Sequence, residues 1–184
     1  MSAKHLTLDE LETGLVEIRI SPVDEGALLL IVRRPSIGGR EVLDTARLDL
    51  EEGLVGDNWR SRGSRETDDG SAHPEKQVNI MNARSAALVA GQRERWPLAG
   101  DQLYVDLNLS GGNLPPGTRL AIGTAVIEVT EPPHTGCAKF VERFGMEAMR
   151  FVNSDVGRQL NLRGINAKVV TAGEISVGDV IRRT

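Results

Sequence analysis

AGDQLYVDLNLSGGNLPPGTRLAIGTAVIEVT, residues 99–130, decides the fold. Within it Leu103, Val105, Leu107 and Leu109 alternate with Gln102, Tyr104, Asp106 and Asn108. A period of two residues puts these sets on opposite faces of one extended strand. The segment SGGNLPPG, 110–117, reads as a turn, because Gly, Asn and Pro supply the backbone angles that turns need. Residues 119–130 bring more strand, interrupted at Gly123.

The same reading extends outward. Downstream, Phe140, Val141, Phe144, Ala148, Phe151 and Val152 recur at three- and four-residue spacing, the pattern of an amphipathic helix. Gly145 weakens that helix without having to break it. Short strands are expected at 165–171 and 179–182. Upstream, 77–81 reads as a strand, and Asn82 as the N-cap of a helix running to about Arg95 and ended by Trp96-Pro97. Residues 58–75 are polar and rich in Gly, Ser, Asp and Arg, the composition of a long surface loop. Residues 41–48 read as a strand, and 35–40 as a turn. The apolar run 27–32 is a buried strand, paired in a hairpin with a second strand at 15–20, where Val16, Ile18 and Ile20 alternate. The expected architecture is mainly β with a few helices, a curved barrel or sandwich. Residues 1–13 are expected to be a flexible N-terminal arm and 14–184 a single domain.

Composition excludes several functions. Aromatic residues are 3% of the chain, too few for the stacking platforms that bind single-stranded nucleic acid. The net charge of −4 disfavours a nucleic-acid backbone as partner. The longest plainly apolar run, 27–32, is far too short to cross a membrane, so no membrane partner is expected. The N-terminus lacks the layout of a secretory signal, and the single cysteine permits no internal disulfide, so a reduced, cytoplasmic setting is expected. No P-loop, dinucleotide fingerprint, nucleophile elbow or zinc-ligand spacing occurs.

The chemistry concentrates in PPHTGCAKF, 132–140. Cys137 sits after a strand and at the start of a helix, with His134 and Lys139 close in sequence. A helix N-terminus and nearby cations favour a thiolate, which is both a nucleophile and a soft-metal ligand. An inert buried cysteine is the alternative, and spacing alone does not choose between them. His134 is either a base or ligand partner of Cys137 or a solvated loop histidine. Arg158 and Arg163 bracket GRQLNLRG, 157–164, and two guanidinium groups there can clamp an oxyanion; solvated loop arginines are the alternative. Asp57 and Asp101 each follow a glycine and read as turn residues.

Taken in order, GLVGD (53–57), KQVNIMN (76–82), the 99–130 segment, PPHTGCAKF and LRGINAKVVTAGEISVGDVI (162–181) resemble the MOSC family, named for the C-terminal domain of molybdenum-cofactor sulfurase. The resemblance covers roughly residues 40–184. It implies a β-barrel-like fold and a pocket for the molybdenum cofactor (molybdopterin). It implies Cys137 as molybdenum ligand or sulfur carrier, with His134 as a second catalytic residue. Lys139, Arg158 and Arg163 are then expected to bind the cofactor, with Asn113 and Asp106 at the pocket mouth. No flavin or iron–sulfur motif is present, so a redox role implies an external electron donor. Three functions follow: a molybdenum-dependent reductase of N-hydroxylated small molecules, a non-enzymatic carrier holding a Cys137 persulfide, and a metal-free cysteine hydrolase or transferase.

Overall fold

The computed structural model describes residues 5–184. Two short helices, α1 (Leu8–Thr13) and α2 (Leu15–Arg19), lead into β1 (Glu25–Arg33). β2 (Glu41–Leu43), β3 (Thr45–Asp49), β4 (Gly53–Leu54) and the single turn α3 (Trp59–Arg62) follow. Beyond the polar segment come β5 (Val78–Asn82), α4 (Ala83–Ala90), a 3-10 helix (Arg93–Ala99) and β6 (Leu103–Asp106). The chain ends with β7 (Arg119–Ile122), β8 (Ala125–Val129), α5 (Ala138–Asn153), α6 (Asp155–Gln159), β9 (Ile165–Thr171), β10 (Gly173–Ser176) and β11 (Val180–Arg183).

Seven strands close a barrel in the order β11-β7-β8-β9-β5-β6-β1, and β1 pairs back onto β11. β2 continues from β1, and β10-β3-β4 form a separate small sheet. The architecture is therefore the mainly β, barrel-like fold expected from the alternation. In the barrel β5 and β6 run parallel, while the other neighbours are antiparallel. A parallel pair needs a crossover, and α4 with the 3-10 helix supplies it. Asn82 starts that crossover: its side chain accepts from the backbone N–H of Arg84 and Ser85, and its amide donates to Leu107 O and Ser21 Oγ. The helical stretch expected to reach Arg95 is thus two pieces, with Gly91 between them.

Two apolar layers share the strands. Leu103, Val105, Leu107 and Leu109 face the barrel interior with Ile80, Ile127 and Ile181. Tyr104, on the opposite face of β6, joins Met81, Trp96, Phe140, Phe144 and Phe151 in a layer between barrel and helices. β1 serves both: Leu28 and Ile31 face inward, Leu30 and Val32 outward. The spacing of three between the inward pair needs a register irregularity, which lies between Leu28 and Leu30. Burial on both faces explains why this strand reads as a continuous apolar run.

Residues 15–20 are a correction. They form α2, not a strand, and make no hairpin with β1. Val16 and Ile20 are 64% and 63% exposed, and Ile18 alone of the three is buried. The same segment also carries helical spacings, Leu15 to Ile18 and Val16 to Ile20, and in the helix Ile18 turns inward while Val16 and Ile20 face out. Of the expected arm, residues 1–4 lie outside the described residues; α1 carries a Thr7–Glu10 capping box and buries Leu11. α5 kinks at Gly145, whose φ of 88° is left-handed. None of the described helices is long and apolar enough to cross a membrane.

Leu103→Ala is expected to destabilise the protein by about 2–5 kcal/mol, because it empties part of a closed barrel interior. Val42→Ala, at a position 60% exposed, is expected to change stability by less than about 0.5 kcal/mol. Urea unfolding of both checks the pair; similar losses would contradict the inside–outside assignment.

Candidate functional site

A cavity of about 350 Å³ opens beside the start of α5 and the end of the crossover. Its lining includes seven cationic side chains, Arg34, Arg40, Arg62, Lys76, Lys139, Arg143 and Arg163, and no carboxylate. Cys137 also lines it, as the extended N-cap residue of α5 with its side chain exposed.

Four of the arginines converge on four consecutive carbonyls at the C-terminal end of the 3-10 helix. Arg40 Nε donates to Pro97 O at 3.0 Å, and Arg143 Nη1 to Leu98 O at 2.6 Å. Arg163 Nη2 donates to Ala99 O at 2.7 Å, and Arg34 Nη1 to Gly100 O at 2.8 Å. The last carbonyls of a helix lack intrahelical partners and carry the negative end of its dipole, so cations belong there. Gly100 makes the exit possible: its φ of 95° lies in the left-handed region that favours glycine.

Two buried aspartates stand behind these arginines. Asp57 accepts from Arg34 Nε and Nη2 in a bidentate pair, at 2.9 and 2.8 Å. Asp101 accepts from Arg163 Nη1 at 2.6 Å and lies 2.9 Å from His134 Nε2. Burial alone would raise the Asp101 pKa, but the charges of Arg163 and His134 outweigh it and hold it at about 2. Burial, followed by repulsion from Arg163, keeps the His134 pKa below its ordinary value. A neutral imidazole facing an ionised carboxylate must carry its proton on Nε2, which leaves the lone pair on Nδ1.

The structure brings Cys137, His134, Lys139 and Arg163 to one cavity. It does not bring Arg158, Asn113 or Asp106 there. Arg158, on exposed α6, pairs with Asp155; the chain turns after α6, so Arg163 heads inward and Arg158 outward. The Asn113 amide holds the 108–113 turn by donating to Val23 O and Asn108 O. Asp106 pairs with Arg84 of α4. Sequence reasoning missed Arg34, Arg40, Arg62, Lys76 and Arg143, and took Asp57 and Asp101 for turn residues. The repeated Gly-Asp pair at 56–57 and 100–101 was the available signal.

A family model described as the MOSC domain matches residues 67–182. No curated protein sequence matches the chain. Among solved structures, the YuaD protein from Bacillus subtilis is 17% identical with a TM-score of 0.63, covering 85% of this chain and 94% of its own. YiiM from Escherichia coli is 19% identical with a TM-score of 0.56, over 86% and 69%. YiiM from Geobacillus stearothermophilus is 12% identical with a TM-score of 0.53, over 88% and 73%. At these identities the likeness shows a shared fold.

Stability should fall on acidification in two windows. Unfolded His134 binds a proton as pH drops through about 6.5 while the folded residue resists it, so stability declines below that pH. The depressed Asp101 contributes stability above its unfolded pKa of 3.8 and loses it as pH falls to about 2. Urea midpoints of wild type and His134→Gln between about pH 7.5 and 5 check the first window. The variant should show the shallower decline, and parallel slopes would contradict the assignment.

Proposed function

This chain belongs to the MOSC-domain family, and from that footing we propose that its cavity binds the molybdenum cofactor with Cys137 as ligand to the metal. The family is one associated with molybdenum-cofactor binding. The proposed activity is the reduction of N-hydroxylated small molecules, with electrons from an external donor. The observation that carries the reading is a single exposed cysteine on the wall of a cavity lined by cations and no carboxylate.

The residues fit the group. The cofactor ends in an anionic phosphate, and this wall holds unspent positive charge. Arg62 and Lys139 have no carboxylate partner among the described residues. Desolvation, then the positive charge of Arg34, lowers the Arg62 pKa. Arg163 Nε is buried with no hydrogen-bond partner, a donor left over beside the site. Among the described residues no cluster of three or more His, Cys, Asp or Glu could hold a metal by itself. A cofactor that brings its metal already held is the form that suits a lone cysteine.

When bound, the cofactor supplies a centre able to exchange two electrons with a substrate. Cys137 offers the thiolate sulfur, Arg62 and Lys139 neutralise the anionic tail, and His134 Nδ1 is the atom able to accept a proton and pass it on. Burial and the charge of Arg163 keep that imidazole neutral, and Asp101 orients it through Nε2. The carrier reading is favoured by one observation, the exposure of the Cys137 side chain, since a persulfide must be reachable by its acceptor.

Cys137→Ser decides between folding and function. Serine is a better N-cap than cysteine, so α5 should be as stable or more stable. Turnover of an N-hydroxylated purine with a chemical reductant should fall by more than the roughly 10- to 100-fold typical of outer-shell metal mutants. Protein from cofactor-competent cells is assayed for molybdenum and activity. Equal activity in wild type and variant would overturn the ligand assignment. Wild type lacking molybdenum but carrying added sulfur on Cys137, by mass spectrometry, would select the carrier reading.

A further inference from the structure

The cavity holds more positive charge than one anion needs. After burial, Arg143 and then Arg34 are the positive charges that depress the Arg40 pKa. For Arg62, Arg34 is the only positive charge that contributes. Arg40 is thus influenced by Arg143 ahead of Arg34, whereas Arg143 does not figure at Arg62.

Gly100 lies under Arg40 and Arg143. A methyl group built on its Cα would sit 3.7 Å from Arg40 Nη2 and 4.0 Å from Arg143 Nη1, with no other heavy atom within 4 Å apart from those of the two adjoining residues. Both guanidinium groups therefore flank one open point that glycine alone leaves vacant. Their backbone bonds hold them there: Arg40 spends Nε on Pro97 O and Nη1 on Gly39 O, and Arg143 spends Nη1 on Leu98 O. Arg40 Nη2 and the Nε and Nη2 of Arg143 have no partner among the described residues, and neither arginine has a carboxylate partner there. Exposed Ser36, Ile37 and Gly38 also line the cavity, just before Arg40, so this part has an open rim. Arg143 follows Cys137 by six residues on α5, about 9 Å along the helix axis at 1.5 Å per residue.

We propose that Gly100, Arg40 and Arg143 form an oxyanion subsite that holds a phosphate group on the substrate, separate from the part of the cavity that takes the cofactor. Two fixed guanidinium groups balance a dianionic phosphomonoester, and their planar forks suit its oxygens. The distance along α5 leaves room for the body of a small molecule between this anchor and the sulfur of Cys137. Calling the ligand a substrate rests on the reductase reading; the anion site itself does not.

The test is calorimetric titration of inorganic phosphate into cofactor-free and cofactor-loaded wild type, Arg143→Gln, Arg143→Lys, Gly100→Ala and Arg158→Gln. Wild type should bind phosphate in both states. Arg143→Gln should weaken binding by about tenfold or more, the scale of a charge-assisted hydrogen bond. Arg143→Lys should recover part of the loss, and Arg158→Gln, outside the cavity, should match wild type. Gly100→Ala should also weaken binding; because its left-handed φ makes alanine costly, the Arg143 series carries the decision if that variant misfolds. No phosphate binding, or binding indifferent to Arg143, overturns the proposal. Binding to the cofactor-free protein that cofactor loading abolishes also overturns it, because the subsite then belongs to the cofactor. Arg143-dependent binding to a loaded protein that reduces no N-hydroxylated compound keeps the anion site and removes the reductase reading instead.

Discussion

Four guanidinium groups do not gather in one cavity wall without something to hold them. Here that something is the run of carbonyls from Pro97 to Gly100, each taking one arginine. Carbonyl oxygens at a helix C-terminus attract cations without cancelling their charge, as carboxylates would. The arginines are therefore fixed in direction yet still positive. Only the two deepest, Arg34 and Arg163, receive a buried aspartate each, and these are the two that solvent could not stabilise. Truncating one member of such a buried pair strands the other charge, so these positions tolerate change poorly.

The barrel explains why the carbonyl run sits where it does. β5 and β6 are parallel, so the chain must cross over between them, and the crossover ends in the 3-10 helix directly before β6. The left-handed Gly100 turns the chain from that helix into the strand, and Asp101 follows at once. Tyr104 ties the strand back to the crossover by donating its hydroxyl proton to Trp96 O at 2.6 Å.

Much of the scaffold was legible because it depends on local period. The alternation from Gln102 to Asn108 named the inward face of β6, and the spacing of Phe140, Phe144, Ala148 and Phe151 named the buried face of α5. Residues 15–20 were not legible, since six residues fit either period. The site divides in the same way. Cys137, His134, Lys139 and Arg163 were found from loop and helix-start chemistry within short segments. Arg34 and Arg40 come from the loop after β1, Arg62 from α3 and Arg143 from α5, and only the fold brings them together. Arg158 misled because two arginines five residues apart share a segment but not a direction.

The family match begins at residue 67, yet the cavity needs residues before it. Arg34, Arg40, Asp57 and Arg62 all precede that boundary, while the carbonyls that Arg34 and Arg40 bond, and Cys137, lie inside it. Arg34 is the link: its backbone N–H and its side chain both bond to Asp57, and its Nη1 reaches Asn79 Oδ1 and Gly100 O. Arg34 directly follows β1, the strand that closes the barrel by pairing with β11 and β6. The strand that closes the barrel therefore also delivers Arg34 to the positive wall. A change that displaced the end of β1 would act on the cavity through Arg34, which holds both Asp57 and the Gly100 carbonyl.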